Sequence, residues 1–577
     1  MTRYSKPQYL TDFNDDPTVW SRRFGDEYWA DAYTPLSYCL LRHWIANISL
    51  PPSDKIHNKF RYHKGFAYTS SEYWLDVMGE VPTSARLPGV RAYLCRPDQE
   101  RFDNLPSSAW KNLVFLSRLT PFNQVDPTDG ITKNHKAMTE WRFTVERDFQ
   151  ALVETDLTAM RLDELLTAFT VWKERGDYHF VLLKAGQSAW GPIMTQALDG
   201  LLRKWGSEEA AARSKVLLGG LPGSLTLETN KDIHRLARQI EDPELKAAVR
   251  DPARAGEVVR RLFEGGDDVP AARTFREFIG KYRHRGASRE MFEDRWEERP
   301  EMVVDLIRGF AGQESLHDPL ALEEEKRRER EVMTAEILET VGNSGGGFLK
   351  TRIFTWVLGM AQTYYLYREN QRFSLDQILF ALKKVSLEIG RRYREAGLLE
   401  EDRHVFFLFE DELFDLAAKP DYREEIKRDA SARRAVYPDQ VGHFPPTFLR
   451  GHEEYEEDGQ ERPSADAGTG ATVFEGLAVS PGKVRGPARV VTRIEDIGLI
   501  EKGEVLVSSN TDPAWTPAFI NLAGLVIETG GVLCHGAIVS REYGIPAVTF
   551  IPQATRIIKT GQTVEVDGDE GLVRILD

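Results

Sequence analysis

Cysteine is scarce in this 577-residue sequence. Cys39, Cys95 and Cys534 stand far apart without a CxxC pair, which excludes a disulfide scaffold and a zinc knuckle. No uninterrupted apolar run approaches the roughly 18 residues of a membrane span. The opening MTRYSKPQYLTDF also lacks the apolar stretch of a secretory signal. Together these absences point to a cytoplasmic protein of a reducing compartment, without a membrane partner. A basic surplus is missing too: 75 Lys and Arg face 90 Asp and Glu, a formal charge of −15. Such a chain lacks the electrostatic footprint of a general nucleic-acid binder, and no nucleic-acid partner is expected. There is no GxxxxGK[ST] run. The nearest glycine-rich stretch, NSGGGFLK at 343–350, is followed by Thr351 but has Leu349 where that pattern needs glycine, and it reads as a loop between helices. No repeat of 20–50 residues is present.

What is there is ample material for packed cores: 41% hydrophobic and 10% aromatic residues over a length that suits two to four domains. From about 140 to 400 the apolar residues return every three or four positions, which predicts helices such as 149–169, 351–372 and 374–396. The charged run 321–331 predicts a solvated helix face with Glu323–Arg327 and Glu324–Arg328 pairs at i,i+4. Before 140 the texture is mixed, with short possible strands such as 61–68. Residues 451–472, GHEEYEEDGQERPSADAGTGAT, contain almost nothing apolar and predict a flexible linker spanning about 25 Å as a coil. Beyond it, short β-rich segments (ARVVT, EVLVSS, AGLVIET, IPAVTF, TVEVDG, LVRIL) surround one helix at about 535–543. The expected class is multidomain α+β: a mainly helical domain at 1–450, the linker 451–472, and a small β/α domain at 473–577.

One motif stands out in the last domain, TGGVLCHGAIVSREYGIPAV at 529–548. It predicts a strand, a turn at Gly530 and Gly531, and His535 at the opening of a helix. A helix N-terminus offers unsatisfied N–H groups and a positive dipole end, and neutral imidazole is nucleophilic near pH 7, so a phosphoryl group on His535 would find anion donors. Thr529 and Cys534 flank it as candidate hydrogen-bonding groups. The alternative is a capping histidine that only satisfies backbone.

The whole segment resembles the phosphohistidine (swivelling) domain of the PEP-utilising enzymes, in four blocks that keep the family's order: 476–491, 511–519, the histidine motif, and 554–576. The resemblance implies that His535 is phosphorylated. The residues FIPQ before Ala554 depart from the glycine these domains often carry. Upstream, YTPLSYCLL (33–41), GLPGSLTLETNKDIHRLA (220–237), KYRHRGASREMFEDRW (281–296), YYLYRENQRFSL (364–375) and GLLEEDRHVFFLFEDEL (397–413) are similar to the substrate domain of rifampin phosphotransferases. With neither an ATP-grasp segment ahead nor a PEP barrel behind, the arrangement looks like the larger subunit of the phenylphosphate and alkylphenol (cresol) phosphate synthases. That resemblance implies a separate ATP-grasp subunit as partner, ATP with Mg2+ as cofactor, a small phenolic acceptor, and the reaction ATP + phenol + water to aryl phosphate, AMP and phosphate. The alternatives are a split rifampin-phosphotransferase-like enzyme acting on another hydroxyl, and a non-catalytic phosphocarrier.

In the acceptor region, Arg368 and Arg372 lie at i,i+4 and project from one helix face, a geometry that clamps phosphate oxygens. The alternative is a surface pair with Glu369 as counter-charge. His284 is a candidate base toward the acceptor, supported by Arg285 or Glu290, or else a buried structural histidine. Tyr364, Tyr365, Tyr367 and Phe373 are core residues or walls of an aromatic pocket.

Overall fold

Apolar residues at helical spacing build helices through most of the first 440 residues, and short strands take over after 470, giving the α+β class expected from the sequence. The computed structural model describes residues 18–576, apart from 29–31, 47–59, 80–85, 87, 92, 107–109, 111–130, 186–189, 213, 287, 312–318, 442–444, 456–463, 466–471, 493, 512, 531–533 and 552. Two compact units are assembled from interleaved segments. One comprises 1–192, 289–293 and 374–458, and the other 193–288, 294–373 and 459–577. The segment 1–450 is thus shared between them.

The first unit holds an antiparallel sheet of β1 (Val19–Ser21), β2 (Phe60–His63), β3 (Phe66–Ser70), β4 (Phe448–Arg450) and β5 (Glu453–Tyr455), in the order β2-β3-β1-β4-β5. The short strand expected at 61–68 is instead a hairpin of β2 and β3 that turns on Lys64 (φ 49°) and Gly65 (φ 89°), two successive positive φ values of the kind that matches strand twist. The helix expected over 149–169 is instead two, Ile131–Glu154 and Leu162–Ala185. Between them Asp156 accepts from the backbone N–H of Thr158 and caps a short turn, Leu157–Ala159.

In the second unit, side-chain caps mark helix starts: Ser224 accepts from the N–H of Leu227, and Asp242 from those of Glu244 and Leu245. The segments expected as separate helices at 351–372 and 374–396 are one helix, Gly347–Glu395, with Phe373 and Ser374 both buried at the expected break. It contributes its residues through Phe373 to this unit and the remainder to the other. The NSGGGFLK stretch does join two helices, Pro319–Gly342 and Gly347–Glu395, with Gly346 at φ 76°. On the charged run the pairing differs from expectation: Arg327 bonds Glu324 and Glu331, while Glu323 pairs with Lys231.

A nine-stranded sheet completes this unit: β6 (Ser464–Ala465), β7 (Thr472–Glu475), β8 (Leu477–Ser480), β9 (Lys483–Val490), β10 (Val505–Ser508), β11 (Gly524–Ile527), β12 (Ala547–Thr549), β13 (Thr563–Asp567) and β14 (Leu572–Ile575). Its order is β6-β7-β14-β13-β9-β10-β11-β12-β8, with β9 to β12 parallel. The central strands are buried on both faces, as parallel strands usually are. Val505, Val507 and Val526 enter one core with Val548 and Val564. Leu506, Leu525 and Ile527 enter another that includes Ile233, Phe275 and Val304 of the helices. The expected linker 451–472 contains β5 and β6, the latter paired with β7; its residues 456–463 and 466–471 lie outside the described residues.

Candidate functional site

His535 is placed by the sheet. Strand β11 ends at Ile527, Gly530 turns the chain at φ 97°, and the helix His535–Tyr543 starts behind Cys534. A side chain on Gly530 would meet Cys534 at 2.8 Å, and one on Gly536 would sit 2.3 Å from Ile527 Cδ1. Only glycine lets the turn and the first helical turn lie this close to the strand. The imidazole at the helix start is 1% exposed. Its Nδ1 lies 3.3 Å from Glu369 Oε2, its Nε2 lies 3.2 Å from Thr516 Oγ1, and Phe519 stands edge-on at 6.2 Å.

Glu369 sits on the long helix between Arg368 and Arg372, and all three are buried, at 7%, 8% and 3% exposure. The surface-pair alternative for these arginines is therefore excluded. Burial alone pushes the Glu369 carboxyl up. The hydrogen bond to His535 and the charges of Arg372 and Arg368 outweigh it and hold the group down at about 2. An ionised Glu369 makes Nδ1 the protonated nitrogen, donating to the carboxylate, and leaves the Nε2 lone pair facing the Thr516 hydroxyl. The second carboxylate oxygen, Oε1, is buried and has no hydrogen-bond partner among the described residues. A basic nitrogen, an anion that fixes its tautomer and two guanidinium groups on the same helix thus meet in a nearly dry space, where charge interactions are strong.

The remaining candidates are placed differently. Thr529 Oγ1 donates to the Ser509 carbonyl at 2.9 Å and fastens the turn. Cys534 is the buried residue ahead of the helix and makes no side-chain cap, and Gly531 lies outside the described residues. His284 is fully buried in the same unit, its ring edge-on to Phe373 at 4.4 Å. Burial, with the charges of Arg285, Arg295 and Arg283, pushes its pKa well below the usual imidazole value, which suits a structural histidine better than a general base. Arg285 lies over the Trp296 ring at 5.9 Å. Glu290, expected to support His284, belongs to the other unit. There its carboxylate accepts from Thr34 N (2.9 Å), Thr34 Oγ1 (2.8 Å), Ser37 Oγ (2.7 Å) and Phe292 N (2.8 Å). Tyr364 is buried and Phe373 belongs to the helix-sheet core.

Thr516 and the pairing of Glu369 with His535 were not singled out from the sequence. The signals in the sequence are TDPAWTPAF, where Thr516 lies, and RENQR, whose acidic residue reads only as a counter-charge. Among the described residues no group of three or more His, Cys, Asp or Glu gathers to hold a metal, and beside His535 a single carboxylate, Glu369, bonds the imidazole through Oε2. Among the described residues, the groups beside His535 thus do not by themselves form a Mg2+ site. Among the described residues no helix is long and apolar enough to cross a membrane.

Residues 185–369 match the family described as rifampicin phosphotransferase fourth domain, and residues 500–571 match PEP-utilising enzyme, mobile domain. The rifampicin phosphotransferase of Streptomyces sviceus is 30% identical over 434 residues, 72% of this chain and 46% of that protein. That of Bacillus cereus is 27% identical over 472 residues, 80% of this chain and 51% of the relative. An uncharacterized phosphotransferase of Bacillus subtilis, YvkC, is 24% identical over 382 residues, 64% and 44% of the two chains. The chain spans about half the length of these relatives. It carries the mobile domain of the PEP-utilising enzyme family, with His535 within it, and the rifampicin phosphotransferases are its homologues.

Proposed function

We propose that this protein transfers a phosphoryl group from Nε2 of His535 to a hydroxyl of an organic acceptor, as a rifampicin-phosphotransferase-like enzyme. The observation that carries this reading is the buried imidazole held between Glu369 and Thr516, with Arg368 and Arg372 on the same helix as Glu369. In the transfer step the P–Nε2 bond breaks and its electron pair returns to Nε2, while a P–O bond forms to the acceptor hydroxyl. The hydroxyl proton passes to Nε2. The resulting imidazolium is stabilised by the Glu369 carboxylate, which is too weakly basic to take the proton itself. The two guanidinium groups offset charge on the phosphoryl oxygens in flight. ATP with Mg2+, held by an ATP-grasp component on a separate subunit, is proposed as the source that loads Nε2, and the cytoplasm as the place where it acts.

The matched relatives carry the name of rifampicin. That favours a bulky hydroxyl acceptor over a phenol, and the aryl phosphate synthase reading gives way to its alternative. The test is to load His535 with potassium phosphoramidate, then add rifampicin, phenol or 4-cresol, and follow the phosphoryl group by 31P NMR. Discharge onto rifampicin or a related polycyclic alcohol is expected. Discharge onto phenols alone restores the aryl reading, and phosphohistidine that no hydroxyl discharges makes the chain a phosphocarrier and refutes the proposal.

A further inference from the structure

The helix that opens on His535 closes on Glu542 and Tyr543, about 12 Å away at 1.5 Å per residue. Both ends are fastened within the same unit, to two helices and to the bend at Gly219–Gly220. At the far end the Glu542 carboxylate accepts the backbone N–H of Gly220 at 3.1 Å. Tyr543, buried, accepts through its hydroxyl from Asn230 Nδ2 at 2.9 Å, on the helix Leu225–Gln239. Gly220 is itself fixed. It has φ 56°, a Cβ there would lie 2.5 Å from the backbone nitrogen of Arg327, and Arg330 donates to the carbonyls of Gly219 and Gly220. Arg541, Lys326 and Arg330 place positive charge around Glu542. These groups act at the far end of the helix from the imidazole, and together with Glu369 they set the angle at which it is presented.

At 1% exposure His535 is closed to any donor that would load it, so this helix has to leave its seat once per cycle. We propose that Glu542 and Tyr543 are positioning residues that fasten the histidine helix to Gly220 and Asn230 and so fix how long His535 stays seated against Glu369. The inference rests on the reading of His535 as a phosphoryl carrier, but it concerns access to the imidazole rather than its chemistry.

The experiment measures carbethoxylation of His535 by diethyl pyrocarbonate in the full chain, by peptide mass spectrometry. Tyr543→Phe keeps the ring and removes one hydrogen bond, and Glu542→Ala removes the other. In each, His535 should be modified on the order of tenfold faster, the equilibrium change that one hydrogen bond supports. Glu542→Gln keeps an acceptor oxygen for Gly220 and should stay near the wild-type rate. Exposed His43 and buried His404 should react alike in all four proteins. Unchanged His535 rates in Tyr543→Phe and Glu542→Ala overturn the proposal, as does an acceleration shared by His404. If His535 is modified faster in both variants but its phosphorylated form discharges onto no hydroxyl, the fastening stands and the transfer reading falls.

Discussion

Replacing Glu369 with glutamine tests the site at its most specific contact. The carboxyl is held at about 2, against an ordinary 4.5, so its surroundings favour the anion over the neutral acid by about 3 kcal/mol. Because the folded pKa is the lower one, this stabilisation is complete above about pH 4.5 and is lost as the pH falls through about 2. Glu369→Gln keeps an oxygen that accepts from Nδ1 but discards the charge that Arg368 and Arg372 neutralise. At pH 7 it should therefore lower the unfolding free energy by roughly 2–3 kcal/mol, leaving two buried guanidinium groups without their shared anion. Urea unfolding of wild type and variant at pH 7, 5, 4 and 3 reads the difference directly. About three-fifths of the electrostatic contribution should be gone by pH 3. The same substitution should slow discharge of phosphohistidine, since the imidazolium left behind has lost its counter-ion, by on the order of 10²-fold. A variant as stable as wild type at pH 7, or a gap that stays constant down to pH 3, refutes the electrostatic account of the site.

Three further outcomes can be measured with the same preparations. Arg368→Ala and Arg372→Ala should each slow discharge of phospho-His535 by about 10²-fold, mainly in kcat, whereas a defect confined to acceptor KM would remove them from the phosphoryl step. His535→Ala should abolish acid-labile labelling and also cost about 1–3 kcal/mol by leaving the Glu369 anion without its donor; urea denaturation at pH 7 checks this. Burial raises Glu290 to about 7 despite its hydrogen bonds, so the folded chain binds the extra proton between about pH 4.5 and 7 and its stability should fall across that interval. Glu290→Gln should flatten this trend in thermal melts, and a slope as steep as in the wild type would show that another group titrates there.

The sequence carried the local half of this site and missed the distant half. His535 was legible because its turn, its glycines and its helix are contiguous, and the predicted helix limits at about 535–543 match those observed. Arg368 and Arg372 were legible as a pair because i,i+4 spacing is a property of one helix. Glu369 was undervalued because its partner lies 166 residues away, and no periodicity reports such a contact. Glu290 went astray for the same reason: it sits six residues from His284, but its hydroxyl donors come from Thr34 and Ser37. The division of the long helix at 373 failed differently. Phe373 and Ser374 fit a helix interior as well as a boundary, and burial of both favours continuity. The break at 155–161 depends on a single cap by Asp156, a weak signal inside a strongly periodic run.

The strand order of the small sheet has a consequence for how the chain is made. Strand β1 is the central strand, and one of its two neighbours, β4, lies roughly 430 residues further along. At about 5–20 residues per second, synthesis leaves some 20 to 90 seconds between the appearance of β1 and that of the strand that completes its hydrogen bonds. Through that interval Val19 and Trp20, buried in the finished sheet, lie on an open edge of the nascent chain. Ribosome-bound intermediates of this protein should thus be clients for chaperones until the codons beyond residue 450 have been read.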